Sequence, residues 1–264
     1  MPELPEVETF VRGLSPAVGR AIESAEILDA KLGVSEDELA GARIAAIRRR
    51  GKYIGIEFDD GRALVVHLRM SGRLRLECSP CERKYVRMIL RLDDGACVVF
   101  VDPRRLGTAD VCQAGFDVPV GVEPLEAGFT PSMLGSLAAG SRAPIKQLLL
   151  DQRKVGGIGN IYAAEALWRA KIDPRRQANE LSRGEIGRLH KAIVAVLCEA
   201  VDGLGTTLGT SVSDYRPTAE EAGEFQNHLA VYGREGEPCE RCGRKIQRVI
   251  QAGRSTCFCP ACQR

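Results

Sequence analysis

Apolar residues recur at helical spacing from the start of the chain: Val7, Phe10, Val11, Leu14 and Val18 follow closely on Pro5. Proline suits a first helical turn, where its missing N–H would have no intrahelical partner, so the pattern predicts an amphipathic helix with a core-facing stripe. From Ala25 to about Cys112 the period changes to two. Short alternating or β-branched runs (AEILDA, YIGIEF, ALVVHLRM, VRMILRL, CVVFV) are broken by DDG and SG turns, which predicts a β-sandwich or barrel. The Gly- and Pro-rich stretch GFDVPVGVEPLEAG reads as a linker. Beyond it, PSMLGSLAAG, APIKQLLLDQ, IYAAEALWRAK and RGEIGRLHKAIVAVLCEAVDGL return to helical period and predict a small all-α module. Residues 205–224 are less regular. KIQRVIQAGRSTCFC then reads as two short strands around a turn at Ala252-Gly253, which projects Arg254 from the tip.

Composition narrows the class without naming a function. With 264 residues, 44% hydrophobic and 27% charged, the chain is an ordinary globular protein with room for one large or two to three small domains. No apolar run approaches the roughly 18 residues of a membrane span, and MPELPEVETF carries carboxylates where a secretory signal has a basic start, so a cytosolic location with no membrane partner is expected. The net charge of +2 does not by itself announce a nucleic acid. Its distribution says more: Arg43 to Arg75 holds nine basic and three acidic groups, a balance of +6, and Arg234 to Arg264 holds seven and three, a balance of +4. These stretches are either one phosphate-facing surface or two solvated faces.

Ten cysteines without a secretion signal favour metal ligation over a disulfide framework. Four of them fall as Cys239-x2-Cys242-x16-Cys259-x2-Cys262, two pairs whose spacing closes four thiolates around one zinc ion. With every position filled by protein sulfur, no open site remains for water, so this zinc is structural. Cys257 lies outside the paired spacing and is expected to pack. Cys78-Ser79-Pro80-Cys81 has no matching pair nearby, and no second metal is expected there.

The opening Pro2-Glu3-Leu4-Pro5-Glu6-Val7-Glu8 resembles the start of the formamidopyrimidine-DNA glycosylase and endonuclease VIII family. His67-Leu68-Arg69-Met70-Ser71-Gly72, Asp102-Pro103-Arg104-Arg105-Leu106-Gly107, the run LLDQRKVGGIGNIY from Leu149 to Tyr162, Val231-Tyr232-Gly233-Arg234 and the cysteine hairpin resemble that family in the same order, across the whole chain. The resemblance implies an α+β, bilobal enzyme: an N-terminal β-sandwich with its helix (1–114), an all-α helix-two-turn-helix module (115–229) and a C-terminal zinc-ribbon finger (230–264). It implies a monomer of the bacterial cytosol, with damaged double-stranded DNA as its partner. The implied activity is removal of oxidised purines such as 8-oxoguanine and formamidopyrimidines, followed by β,δ-elimination at the abasic site. The stretch from Gly209 to Tyr232 and the Arg-Arg-Leu motif resemble the purine branch; an endonuclease VIII-like preference for oxidised pyrimidines and a non-catalytic zinc-ribbon DNA-binding protein stay open.

Residue by residue, the resemblance assigns the nucleophile to the α-amine of Pro2, freed once Met1 is removed. An α-amine is well chosen, since roughly a quarter is neutral at pH 7.4 against about 0.1% of an unperturbed lysine. A secondary amine also yields an iminium with no N–H to lose, which keeps withdrawing electrons from the sugar. Glu3 matches the carboxyl that protonates the sugar ring oxygen, Lys52 the proton donor for β-elimination, and Arg254 the cation for δ-elimination. Met70, Arg104 and Leu106 match the trio that fills the gap left by an extruded base. Asn160, behind Gly156-Gly157-Ile158-Gly159, and Arg142 match contacts to the DNA backbone, with Lys146 and Tyr232 as further candidates. Three positions depart from the family: Leu106 stands for its usual Phe, Arg69 for its Gly, and Tyr85 where a histidine near DNA is common.

Overall fold

The computed structural model of the chain describes residues 1–78, 84–207 and 223–264; Cys81, and residues 209–222 of the stretch likened to the purine branch, lie outside the described residues. Two compact units emerge: Met1–Val118 with the described part of Leu204–Gly223, and Pro119–Gly203 with Glu224–Arg264.

In the first unit, helix α1 (Leu4–Leu14) precedes strands β1 (Ile22–Ile27), β2 (Ile44–Arg50), β3 (Tyr53–Phe58), β4 (Ala63–His67), β5 (Arg73–Glu77), β6 (Val86–Leu92), β7 (Cys97–Val101) and β8 (Thr108–Cys112). They form two antiparallel sheets of four strands, in the orders β1-β6-β7-β5 and β2-β3-β4-β8. Alternate residues of the two sheets meet in one core, with Ile54, Ile56 and Phe58 of β3 and Leu64 and Val66 of β4 joined by Met88, Leu90 and Leu92 of β6 and Val98 and Phe100 of β7. Val7, Phe10 and Leu14 of α1 enter the same core, so the expected helix and sandwich are both present. Three strands lie outside the runs read from the sequence: β2, β5 and β8. β2 and β5 carry arginine at their polar positions and in part at covered ones: the Arg49 side chain is 8% exposed and Arg73 is buried. Arginine stems cover apolar surface while the head groups find partners, which defeats a simple apolar count. The run ALVVHLRM also stops being a strand at His67, because Arg69 turns to φ 54°.

The second unit holds α2 (Pro131–Ala139), α3 (Ile145–Leu150), α4 (Asn160–Ala170), α5 (Arg183–Asp202) and the hairpin of β9 (Gln247–Gln251) and β10 (Arg254–Phe258). The presumed linker contributes to this unit from Pro119 onward. Val122 bridges to Val155, and Gly121 lets the chains approach closely, since a Cβ there would lie 2.4 Å from the Lys154 carbonyl. Helices and cysteine hairpin share one core: Ala164 and Trp168 of α4 pack with Ala230, Val231, Cys239, Ile246, Cys257 and Cys259. Cys257 therefore packs, as its position outside the paired spacing implied.

Candidate active site

The first turn of α1 concentrates buried charge. Pro2 is buried immediately before the N-cap Glu3, itself 3% exposed. The Glu3 N–H donates to Oε2 of Glu6 at 2.7 Å, and Oε1 of the buried Glu6 accepts the Thr206 N–H at 2.8 Å. Glu6 thus occupies a helix-start position where a carboxylate is favoured, and both its oxygens serve backbone donors. One turn on, Glu8 accepts from Nε of Arg49 at 2.9 Å, tying α1 to β2. The β2–β3 turn that follows holds Gly51 at φ 57° and places Lys52 at 5% exposure, a lysine inside the unit where sequence alone shows only a surface cation.

Strand register sets His67 beside this turn. Tyr53 pairs with His67 across β3 and β4, and their rings meet edge-on at 4.6 Å between centroids. The Arg69 backbone N–H donates to Nδ1 of His67 at 3.0 Å, leaving Nε2 to carry the proton of the neutral ring. Burial, reinforced by the charges of Arg69 and Lys52, lowers the His67 pKa to about 4.

Met70 and Leu106 are both exposed, at 41% and 45%, on two loops that a single carboxylate organises. Buried Asp102 accepts the Ser71 hydroxyl on Oδ1, and the N–H groups of Leu106 and Gly107, each at 2.8 Å, on Oδ2. A Cβ on Gly107 would lie 2.5 Å from the Phe100 ring, so glycine is what fits there. The neighbouring arginines divide their work. Arg105 donates to both oxygens of buried Asp29, at 2.8 and 2.6 Å, and these bonds hold the Asp29 pKa down to about 2 against the effect of burial. Arg104 is exposed with no carboxylate partner among the described residues, a guanidinium left for an external anion. Tyr85 is half-buried at φ 66°; its carbonyl accepts from the Asp102 N–H at 2.9 Å, and Lys84 Nζ sits 5.2 Å from its ring centroid.

In the second unit the glycine loop leads into α4 with Gly159 as N-cap and Asn160 as the first helical residue. Gln152 braces that loop, donating to the Leu150 and Ile158 carbonyls at 3.1 and 2.8 Å and accepting from the Gly157 N–H at 2.9 Å. Asn160 Oδ1 is buried without a donor, and Arg142 is exposed ahead of α3. Lys146 is placed differently from a surface contact: it is 1% exposed, and its ammonium donates to the Ser255 carbonyl at 3.1 Å and the Thr256 hydroxyl at 2.8 Å, joining α3 to β10. Buried Glu165 of α4 accepts three successive backbone N–H groups, from Ala230, Val231 and Tyr232, at 2.8–3.0 Å. That fixes Tyr232 and the approach to the cysteine hairpin. Ala252 and Gly253 turn with φ 47° and 73°, the left-handed pair of a two-residue hairpin, and Arg254 is exposed at the tip as the turn signal implied.

The sulfur atoms of Cys239, Cys242, Cys259 and Cys262 all lie within 4.8 Å of one another. Four thiolates at tetrahedral separation, two of them on buried residues, fit one zinc ion and leave no position open for substrate or water. His67, Asp102 and Gln152 stand in the matching motifs without a role read for them there, and Asp29 and Glu165 stand in none. Their partners are mostly backbone groups or distant residues, which no local spacing encodes.

Comparison with known proteins covers the chain end to end. The formamidopyrimidine-DNA glycosylase N-terminal domain matches residues 1–109, the helix-two-turn-helix domain of that enzyme residues 120–211, and a zinc finger found in that enzyme and in isoleucyl-tRNA synthetase residues 236–264. Formamidopyrimidine-DNA glycosylases of Chloroflexus aurantiacus and Paracoccus denitrificans are 45% and 43% identical, covering all of this chain and 98% and 100% of theirs. The crystal structure of MutM (Fpg) from Thermus thermophilus is similar with a TM-score of 0.89 and 41% identity, covering 99% of this chain and 98% of that one. The Lactococcus lactis enzyme in complex with DNA containing N7-benzyl-Fapy-dG is similar with a TM-score of 0.89 and 36% identity over the whole of both chains. No helix among the described residues is long and apolar enough to cross a membrane. With three successive domains matched and relatives above 40% identity along its full length, the chain belongs to the formamidopyrimidine-DNA glycosylase family.

Proposed function

We propose that the chain is a base-excision repair enzyme that removes oxidised purines from double-stranded DNA and cleaves the resulting abasic site by β,δ-elimination. The observation that carries this reading is the burial of Glu3 and Lys52 in the unit whose first helix starts just after Pro2. Buried ionisable groups are costly, and they concentrate where chemistry needs them.

With Met1 removed, Pro2 presents a secondary amine just before the helix start, where the partial positive charge of the first turn favours its neutral, nucleophilic form. The amine attacks the sugar C1′, the damaged base departs, and Glu3 delivers a proton to the ring oxygen as the ring opens. The product is a cationic iminium. Its electron withdrawal makes loss of the 3′ phosphate easier, with Lys52 in the role of proton donor, and Arg254 at the β9–β10 tip serves the second elimination. An extruded base leaves a gap in the stack, which Met70 and Leu106 fill as exposed apolar groups on loops pinned by Asp102, with Arg104 beside them. Asn160, at the start of α4, and Arg142 supply contacts to the DNA backbone, where the positive end of a helix suits a phosphate; Tyr85 lies near the same DNA. The zinc ion, when bound, supplies structure only, through Cys239, Cys242, Cys259 and Cys262.

Complexes of the Lactococcus lactis enzyme, as a mutant with DNA containing Fapy-dG and with DNA containing an abasic site, support a damaged-purine substrate and an abasic-site intermediate. Excision from duplexes carrying 8-oxoguanine or thymine glycol tests the reading: faster release of 8-oxoguanine with strand products carrying phosphate at both ends is expected, and a preference for thymine glycol would overturn the purine assignment.

A further inference from the structure

Non-glycine residues at positive φ are rare, and three of the six among the described residues have an evident internal reason. Lys171 ends α4 as its C-cap, Ala252 opens the two-residue hairpin turn, and Arg105, at φ 54°, is held by both oxygens of Asp29. Arg69 shares the φ of Arg105 and lacks its compensation. Its side chain is exposed, only its backbone N–H is bonded, to His67 Nδ1 at 3.0 Å, and no carboxylate pairs with its guanidinium among the described residues. A strained backbone that presents an unpaired cation is a state the fold alone does not reward, and such strain collects where a ligand is bound.

The surroundings indicate the ligand. Arg69 stands between His67 and Met70, within the basic stretch from Arg43 to Arg75, and its backbone N–H bonds the buried His67 ring while its guanidinium is exposed. A phosphodiester offers two non-bridging oxygens sharing one negative charge, which a guanidinium grips with two parallel hydrogen bonds. We propose that Arg69 binds a backbone phosphate of DNA, and so adds an ion contact beside Met70. The inference rests on the reading of the chain as a DNA-repair enzyme and extends it to a residue that the resemblance does not assign.

Anisotropy titration of the wild type, Arg69→Gly and Arg69→Gln with a duplex containing a tetrahydrofuran abasic analogue, over about 0.05–0.3 M KCl, tests it. Losing one phosphate contact makes the dependence of log Kd on log salt shallower by about 0.9, equivalent to roughly fivefold weaker binding near 0.15 M. Both variants are expected to show this change, and Arg69→Gly, which relieves the strained φ, is expected to melt no lower than the wild type. Wild-type salt slopes in both variants would overturn the inference, as would weaker binding at an unchanged slope, the signature of a base stacked on the guanidinium. A change in Arg69→Gly alone would trace the effect to the backbone and overturn it too. Were the wild type itself to bind without salt dependence, the DNA reading would fall first and carry this inference with it.

Discussion

Ser71 donates its hydroxyl to the buried carboxylate of Asp102, 31 positions away, and so joins the loop that carries Met70 to the loop that carries Leu106. The other carboxylate oxygen takes the Leu106 and Gly107 N–H groups. Asp102→Ala leaves these donors without an acceptor and is expected to cost about 3 kcal/mol, with Asp102→Asn costing less because one carbonyl oxygen remains. Urea unfolding checks the order, and excision from duplex DNA is expected to fall in step. Near-wild-type stability of Asp102→Ala would show that the two loops are held by other means.

Glu165 links α4 to the approach of the cysteine hairpin through three backbone donors on Ala230, Val231 and Tyr232. Burial pushes its carboxyl pKa up, while the three N–H groups pull the other way. Glu165→Ala leaves those donors unpaired and is expected to lower stability by about 3 kcal/mol or more and to weaken metal retention. Titration with a zinc-binding dye reads the second effect; an unchanged zinc affinity would separate the hairpin from this anchor.

His67 gives a pH dependence whose sign is fixed by its lowered pKa of about 4, set first by burial and then by Arg69 and Lys52. Between an unfolded value near 6.5 and that folded value, the unfolded chain binds more protons, so folding stability falls as pH falls through this window. From pH 7 to pH 5 the loss from this one residue is about 2 kcal/mol. Replacing it by Asn is expected to flatten the corresponding part of the stability profile, as followed by denaturant midpoints. A profile as steep in His67→Asn as in the wild type would assign the acid sensitivity elsewhere.

Zinc removal has a built-in reporter. The single tryptophan, Trp168, packs in the core that contains Cys239 and Cys259, with the Arg241 guanidinium 3.7 Å from its ring centroid. Chelation is expected to shift its emission and abolish DNA binding, while the β-sheet circular dichroism of the first unit persists. Loss of the sheet signal at the same chelator concentration would contradict that separation.

Much of this molecule was legible in the sequence. The helical stripe of Val7, Phe10 and Leu14, the alternation in β3, β4, β6 and β7, the paired cysteine spacing and the turn before Arg254 all repeat at short range, where period and turn chemistry act. β2 and β5 escaped because arginine stems line them. Lys146 reads in the sequence as a candidate contact to the DNA backbone because nothing nearby reveals that Ser255 and Thr256, more than 100 positions on, enclose it. Asp102 and Glu165 escaped for a related reason: each organises loop backbone, which has no side-chain signature. His67 heads a matching motif, but its place in the candidate site comes from register, by pairing with Tyr53 next to Lys52.

The amine of Pro2 carries the whole chemical account, and borohydride trapping on duplex DNA with an abasic site tests it most directly. Protein shown by intact mass to have lost Met1 is expected to form a covalent adduct, reduced in part by Pro2→Gly and abolished when an N-terminal extension keeps the Pro2 nitrogen in a peptide bond. An adduct formed equally by the extended chain, or none from the processed protein, would contradict the account.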